Sequence, residues 1–323
     1  MPKPLVTHIY TADPSAHVFD GKIYIYPSHD RENDHVFNDK GDQYDMVDYH
    51  VLSLSEEGGE VTDLGVAISA KDVPWVDKQM WAPDCARGKN GRYYLYFPAR
   101  GRDGIFRIGV AVGDRPEGPF KPEPEAIKGS FSIDPATFVD DDGTAYCYFG
   151  GLWGGQLQCY NSDGTEYNFD APEEPSGKGV KALGPRVARL RDDMLEFDEG
   201  VRELVITLNG EHVLADDHEK RFFEAAWMHK HAGKYYFSYS TGDSHLLAYA
   251  IGDSPYGPFE YAGTILEPVL GWTTHHSIVE DFKGKTYLFY HDCELSKGVD
   301  HLRSVKMREI KYDEDGKIIK QKP

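Results

Sequence analysis

The chain has 323 residues with 54 acidic against 35 basic side chains, a formal net charge of −19. Such a charge disfavours a nucleic acid or an anionic membrane surface as the natural partner, because both are met by a basic footprint, and a neutral small molecule fits it better. Aromatic residues make up 13% of the chain, 21 of them tyrosines, which suits half-buried pleated strands; no apolar stripe at helical spacing persists over several turns, so the expected class is all-β.

The first residues, Met1 to His8, lead into the pattern described next without the apolar core of a secretory leader. No later stretch reads as a membrane span. A cytoplasmic location is therefore expected. From there one phrase recurs five times: a polar or charged residue, an apolar stretch, a glycine turn and a tyrosine-rich strand. The copies are Asp13 to Tyr26, Trp81 to Tyr96, Asp134 to Tyr148, Glu224 to Tyr239 and His275 to Tyr290. Each reads as a hairpin. Their turn glycines (Gly21, Gly91, Gly143, Gly233, Gly284) lie roughly 50 to 90 residues apart, the range in which one four-stranded blade is the repeat unit. Five units predict a five-bladed β-propeller, with residues 1–323 forming one domain.

Between these hairpins a second repeat appears. Gly113 to Phe120 and Gly252 to Phe259 share the order Gly-Asp-x-Pro-x-Gly-Pro-Phe after an alternating strand, a strong turn signal whose terminal Phe is expected to pack between blades. The stretch from about Asn161 to Lys181, rich in Glu, Pro, Gly and Ser, reads as a loop inserted into the third blade. The four cysteines, Cys85, Cys147, Cys159 and Cys293, are far apart and show no paired spacing, so reduced thiols are expected.

The innermost strand of each propeller blade lines the central channel, so equivalent early positions of the repeat converge from different blades. Asp13 lies eight residues before its turn glycine, and Asp134, Glu224 and His275 nine before theirs. Three carboxylates and a histidine should therefore meet at the channel. Acids gathered in a pocket raise one another's pKa or bind a cation. Separated pKa values let one carboxyl donate a proton while another stays a base, and two such groups astride one bond is the requirement of glycoside hydrolysis.

The residues Ala12 to Ser15, Asp20 to Tyr24, Trp81 to Asp84, Ile133 to Ala136, Phe223 to Ala226 and His275 to Ile278 resemble, in order and spacing, family 43 of the glycoside hydrolases over nearly the whole chain. The resemblance implies inversion, with Asp13 as general base, Glu224 as general acid and Asp134 as the residue tuning the acid. It also implies that Arg303 approaches the modulating Asp134 and the sugar, and that Trp81 forms part of the wall of the innermost subsite. His275 is implied as a calcium ligand on the propeller axis, its other ligands mostly water. His276, one residue on, should point away from that axis. The His29-Asp30 pair is a candidate for the pocket lining and substrate binding.

The substrates implied are β-xylosides and α-arabinofuranosides, with an exo-acting β-xylosidase on β-1,4-xylo-oligosaccharides first and an arabinofuranosidase activity beside it. An endo-arabinanase or a main α-L-arabinofuranosidase activity is the alternative of the same chemistry. A non-catalytic sugar-binding propeller is the alternative of another class. Closure of the pocket is expected from the chain's own loops, the Arg31 to Tyr44 segment foremost, or from a neighbouring subunit of a homo-oligomer.

Overall fold

The structure is a computed structural model that describes residues 2–168 and 173–323. Five antiparallel blades follow one another along the chain and form a β-propeller. The first comprises Tyr10–Phe19, Lys22–Asp30, Asp48–Leu54 and Thr62–Ser69; the second is built on Asp84–Arg87, Tyr93–Gly101, Phe106–Gly113 and Lys121–Pro122, with Val76–Lys78 added beside Tyr93–Gly101. Ala136–Val139, Ala145–Phe149, Arg186–Arg189 and Arg202–Glu203 make the third. Glu224–His231, Lys234–Ser240, Leu247–Gly252 and Phe259–Leu266 make the fourth, and His276–Phe282, Lys285–Asp292 and Ser304–Ile310 the fifth. Helical structure among the described residues is confined to short 3₁₀ turns.

The glycine turns account for the hairpins. At Asp20-Gly21, Ala232-Gly233 and Lys283-Gly284 both turn residues have positive φ, the backbone of the two-residue turn whose twist matches that of paired strands. At Gly91 and Gly143 the glycine alone is left-handed and closes a wider loop. The insertion expected over residues 161–181 falls between the second and third strands of the third blade; its residues 169–172 lie outside the described ones.

Neighbouring blades are joined by repeated devices. Tyr26 Oη donates to the carbonyl of Pro116 at 2.7 Å, and Tyr148 Oη to that of Pro255 at 2.9 Å. In both cases the second strand of one blade reaches the Pro-containing turn of the next. The Phe ending each turn is buried: Phe120 meets the Tyr26 ring of the first blade edge-on, and Phe259 packs on Phe237 of its own blade within a cluster that includes third-blade residues. At the channel the Asp84 carboxylate of the second blade binds Ser15 Oγ and His17 of the first blade and the Thr137 N–H of the third.

Ring closure uses the chain's beginning. Leu5 N–H donates to Val305 C=O at 2.8 Å and Thr11 N–H to Arg303 C=O at 2.9 Å, so the first residues lie along the outer strand of the last blade. In the same way Ile206–Leu208, leaving the third blade, pairs in parallel with Phe259–Leu266 of the fourth. The cysteines are all unpaired, and Cys85, Cys147 and Cys293 are buried as small hydrophobes.

Tyr148→Phe removes one interblade hydrogen bond and leaves the Pro255 carbonyl without its donor. The expected loss is about 1 to 2 kcal/mol, read as a lower urea midpoint at unchanged m-value. An unchanged midpoint would show that this contact adds no stability.

Candidate active site

Asp13, Asp134 and Glu224 stand where the innermost strands of the first, third and fourth blades begin. The backbone there leaves regular pairing. Register shifts occur between Ala12 and Ser15 and between Glu224 and Trp227, and Asp13, Asp134 and Ala225 have φ of 48°, 57° and 60°. Left-handed non-glycine backbone costs on the order of 1 to 3 kcal/mol per residue and persists only where surrounding contacts fix it. Those contacts are present: Asp13 N–H donates to His291 Nδ1 at 3.0 Å, and Ala225 N–H donates to Asp134 Oδ2 at 2.8 Å. These departures turn the carboxyls out of the ladder and into one pocket.

Asp13 is 5% exposed and Asp134 4%, yet their protonation differs. Burial alone would raise the pKa of Asp13. Against it act the charge of Arg303, whose Nη1 lies 2.9 Å from Asp13 Oδ1, then the His291 and His275 imidazoles, and the Ser28 hydroxyl, which donates to Oδ2 at 2.5 Å. The balance holds Asp13 down at about 2. Burial depresses His275 to about 4 and His291 to about 3, so both are uncharged near neutrality and add positive charge only in the acid range where Asp13 itself titrates. For Asp134, burial and then the charge of Asp13 push the pKa up to about 8. Glu224 is pushed well above the ordinary carboxyl range by burial, then by Asp134 and Asp13, and its carboxyl meets no hydrogen-bond donor among the described residues. The result is one ionised carboxylate facing two carboxyls that retain protons as a coupled pair.

Arg303 is 2% exposed and fixed from three sides. Its Nε and Nη2 donate to the two oxygens of Asp30 at 2.8 and 2.7 Å, its backbone N–H also reaches Asp30, and Nη1 is shared by Asp13 and Thr273 Oγ1. This corrects two expectations. The arginine pairs with Asp13 and not with Asp134. Asp30 is a buried anchor for Arg303 and does not line the pocket, since alternation along Lys22–Asp30 sends Ser28 and Asp30 inward. His29, on the opposite face of that strand, also lies outside the pocket lining and bonds Asp48 at 2.7 Å.

His275 Nδ1 lies 3.8 Å from Asp13 Oδ1 and 3.7 Å from Asp134 Oδ2. His276 points elsewhere, into the interface with the fourth blade, where Nε2 meets Ser238 Oγ at 2.7 Å. Trp81 lines the pocket, its Nε1 donating to Tyr44 C=O at 2.7 Å and its ring packed on Phe106. Gly41, with φ of +71°, passes so close that a Cβ there would come within 2.6 Å of the Trp81 ring. The Arg31 to Tyr44 segment does wall the pocket, through Phe37, Asn38, Gln43 and Tyr44.

Sequence reasoning missed Ser28, His291, Tyr44, Trp153 and Trp272. Ser28 and His291 sit where second strands end beside Asp13, a position the hairpin register supplies. Trp153 stands in a glycine-rich run, Gly150 to Gly155, and Trp272 three residues before His275. Their rings meet at 5.3 Å on the pocket's far wall. Asp300 ties two walls together, accepting from Tyr44 Oη at 2.5 Å and from Trp272 N–H at 2.6 Å.

A model of the glycosyl hydrolases family 43 matches residues 3–318. The chain is 70% identical to xylosidase/arabinosidase 43A of Humicola insolens, with 99% of each chain aligned, and 56% identical to a xylosidase/arabinosidase of Bacteroides ovatus, with 98% and 96% aligned. Among solved structures it superposes with a TM-score of 0.97 on a family 43 β-xylosidase/α-arabinofuranosidase from a compost microbial metagenome, in complex with xylotriose in a calcium-free form. That match has 60% identity and covers 100% and 97% of the two chains. A family 43 enzyme of Xanthomonas citri complexed with xylose gives 0.94 at 56% identity over 100% and 94%. With the propeller, the convergent carboxyls and these matches in hand, the chain belongs to glycoside hydrolase family 43.

Proposed function

We propose that the pocket removes single xylose units from β-1,4-xylo-oligosaccharides with inversion, and accepts α-L-arabinofuranosides in the same site. The observation that carries this reading is the split in protonation across one pocket: Asp13 at about 2 on one side, Asp134 and Glu224 raised on the other. Asp13, ionised and oriented by Arg303 and Ser28, takes the proton of a water whose oxygen attacks the anomeric carbon. Glu224, still protonated, gives its proton to the departing glycosidic oxygen. Asp134 keeps Glu224 protonated by its proximity. Trp81 offers an apolar ring face to the sugar, and the loop with Phe37 and Tyr44 walls the pocket in a way that suits exo action.

A divalent cation fits beside this set. His275 is uncharged and lies near the Asp13 carboxylate and the Asp134 carboxyl, so one imidazole nitrogen with water completing the shell makes a donor set for calcium of modest affinity. When bound, the cation supplies positive potential that offsets the crowding of acids. Initial rates on p-nitrophenyl β-xyloside and α-arabinofuranoside should be high and fall on chelation, returning with calcium. Absence of turnover on both, with internal cleavage of linear arabinan, would overturn the exo-xylosidase reading.

Glu224→Gln should slow natural xylobiose by about 10²- to 10⁴-fold and an aryl xyloside with an activated leaving group far less, because that group departs without protonation. Equal losses on both would remove Glu224 from the acid role. Asp134→Asn should move the alkaline limb of kcat/KM to lower pH: activity requires protonated Glu224, and deleting the like charge lowers its pKa. The acidic limb, set by Asp13, should stay in place. A limb unmoved or shifted upward in rate measurements across pH would contradict the tuning role.

A further inference from the structure

The strongest cluster of metal-ligating side chains outside the pocket lies on the first blade, where its second strand ends and its third begins. One donor atom each of His29, Asp48 and His50 falls within 4.8 Å of the other two, and among the described residues this is the one such group of three. The sheet explains the cluster. Ser28 pairs with Tyr49, so His29, Asp48 and His50 share the face opposite to that of Ser28 and Tyr49. Their side chains are 13% to 23% exposed, buried enough to be fixed and open enough for an ion to enter.

We propose that these three residues form a second metal site, for a divalent transition ion of the zinc type, that clips together the two stems of the loop walling the pocket. Two imidazoles with one carboxylate make a three-ligand set that leaves a position for water, and imidazole nitrogen favours such ions over calcium. The outer partners fit as well. His50 Nδ1 lies 3.0 Å from Asp63 Oδ1, leaving its Nε2 to ligate while the carboxylate fixes the ring, the usual arrangement around a metal-bound histidine. Asp63 is held in turn by the Gly65 N–H at 2.8 Å and by His8. Ligands around a tetrahedral zinc stand about 3.3 Å apart, so at most a small side-chain adjustment closes the set.

The placement gives the site its consequence. His29 is the penultimate residue of Lys22–Asp30 and Asp48 the first of Asp48–Leu54, so the ligands flank the segment 31–47 that carries Phe37, Asn38, Tyr44 and Met46 to the pocket. Joining the stems restrains that loop where it leaves the sheet.

The test is calorimetric titration of the chelator-treated full chain with Zn²⁺, paired with thermal melts with and without the ion. Wild type should bind, and its midpoint should rise. The His29→Gln/His50→Gln variant should lose one equivalent or weaken it at least tenfold, and zinc should no longer raise its midpoint through this site. Asp48→Asn, nearly isosteric, should weaken the same equivalent. His275→Ala should keep it, which separates this site from the axial one. No zinc binding by wild type, equal binding by wild type and the double variant, or loss confined to His275→Ala would overturn the proposal.

Discussion

One buried guanidinium supports both the closure of the ring and the ionisation of the catalytic pocket. Arg303 belongs to the last blade, whereas its partners Asp13 and Asp30 belong to the first. Its backbone carbonyl receives the Thr11 N–H while its side chain grips both carboxylates. Stripping three charges of water is unfavourable unless the geometry is nearly complete, and removing one partner from such a set typically costs about 3 to 5 kcal/mol. Here the set is nearly complete. Both oxygens of Asp30 are engaged, Asp13 has Ser28 and Arg303, and the remaining arginine donors reach Thr273 and the Met46 sulfur.

The same clamp creates the asymmetry of the site. All the catalytic carboxyls are buried, so desolvation pushes each of them toward the neutral form. Among them Arg303 lies against Asp13 alone, and that contact, with the two imidazoles and the Ser28 hydroxyl, reverses the sign for one residue. Once Asp13 is ionised, its charge adds to the burial that keeps protons on Asp134 and Glu224. A single well-placed cation thus sorts chemically similar acids into a base and a proton-bearing pair. The neutral state of His275 and His291 follows from the same surroundings, with burial as the main cause and Arg303 a further one.

The blades were legible in the sequence because hairpins are local: a glycine able to take positive φ, flanked by a strand on each side, specifies its pairing within about 14 residues. Equivalent positions in those hairpins then brought Asp13, Asp134, Glu224 and His275 together. What was hidden is long-range or depends on a single step of alternation. Arg303 finds Asp13 across 290 positions of sequence, and no local pattern states which aspartate it meets. Trp153 and Trp272 come together from different blades on loops whose course is set by tertiary packing. His29 and Asp30 were read as a pair, but neighbours on a strand face opposite ways. The Ser28 hydroxyl bond to Asp13, made across the bulge that follows Ala12, shows that the even-numbered residues of this stretch face the catalytic aspartate.

That alternation gives the strand Lys22–Asp30 two chemical faces. Inward, Ser28 and Asp30 orient the Asp13 carboxylate, one directly and one through Arg303. Outward, His29 engages Asp48 at the foot of the following loop. The backbone between them is common to both, so a shift of the chain at residue 31 moves the Asp30 carboxylate and with it the arginine that holds the base. Tyr44 adds a second link, since its ring lies 4.9 Å from the Arg303 guanidinium and its hydroxyl binds Asp300. The wall of the pocket and the ionisation of its base are therefore mechanically one unit. Changes in loop 31–47 that touch no sugar still act on the chemistry through Asp30 and Tyr44.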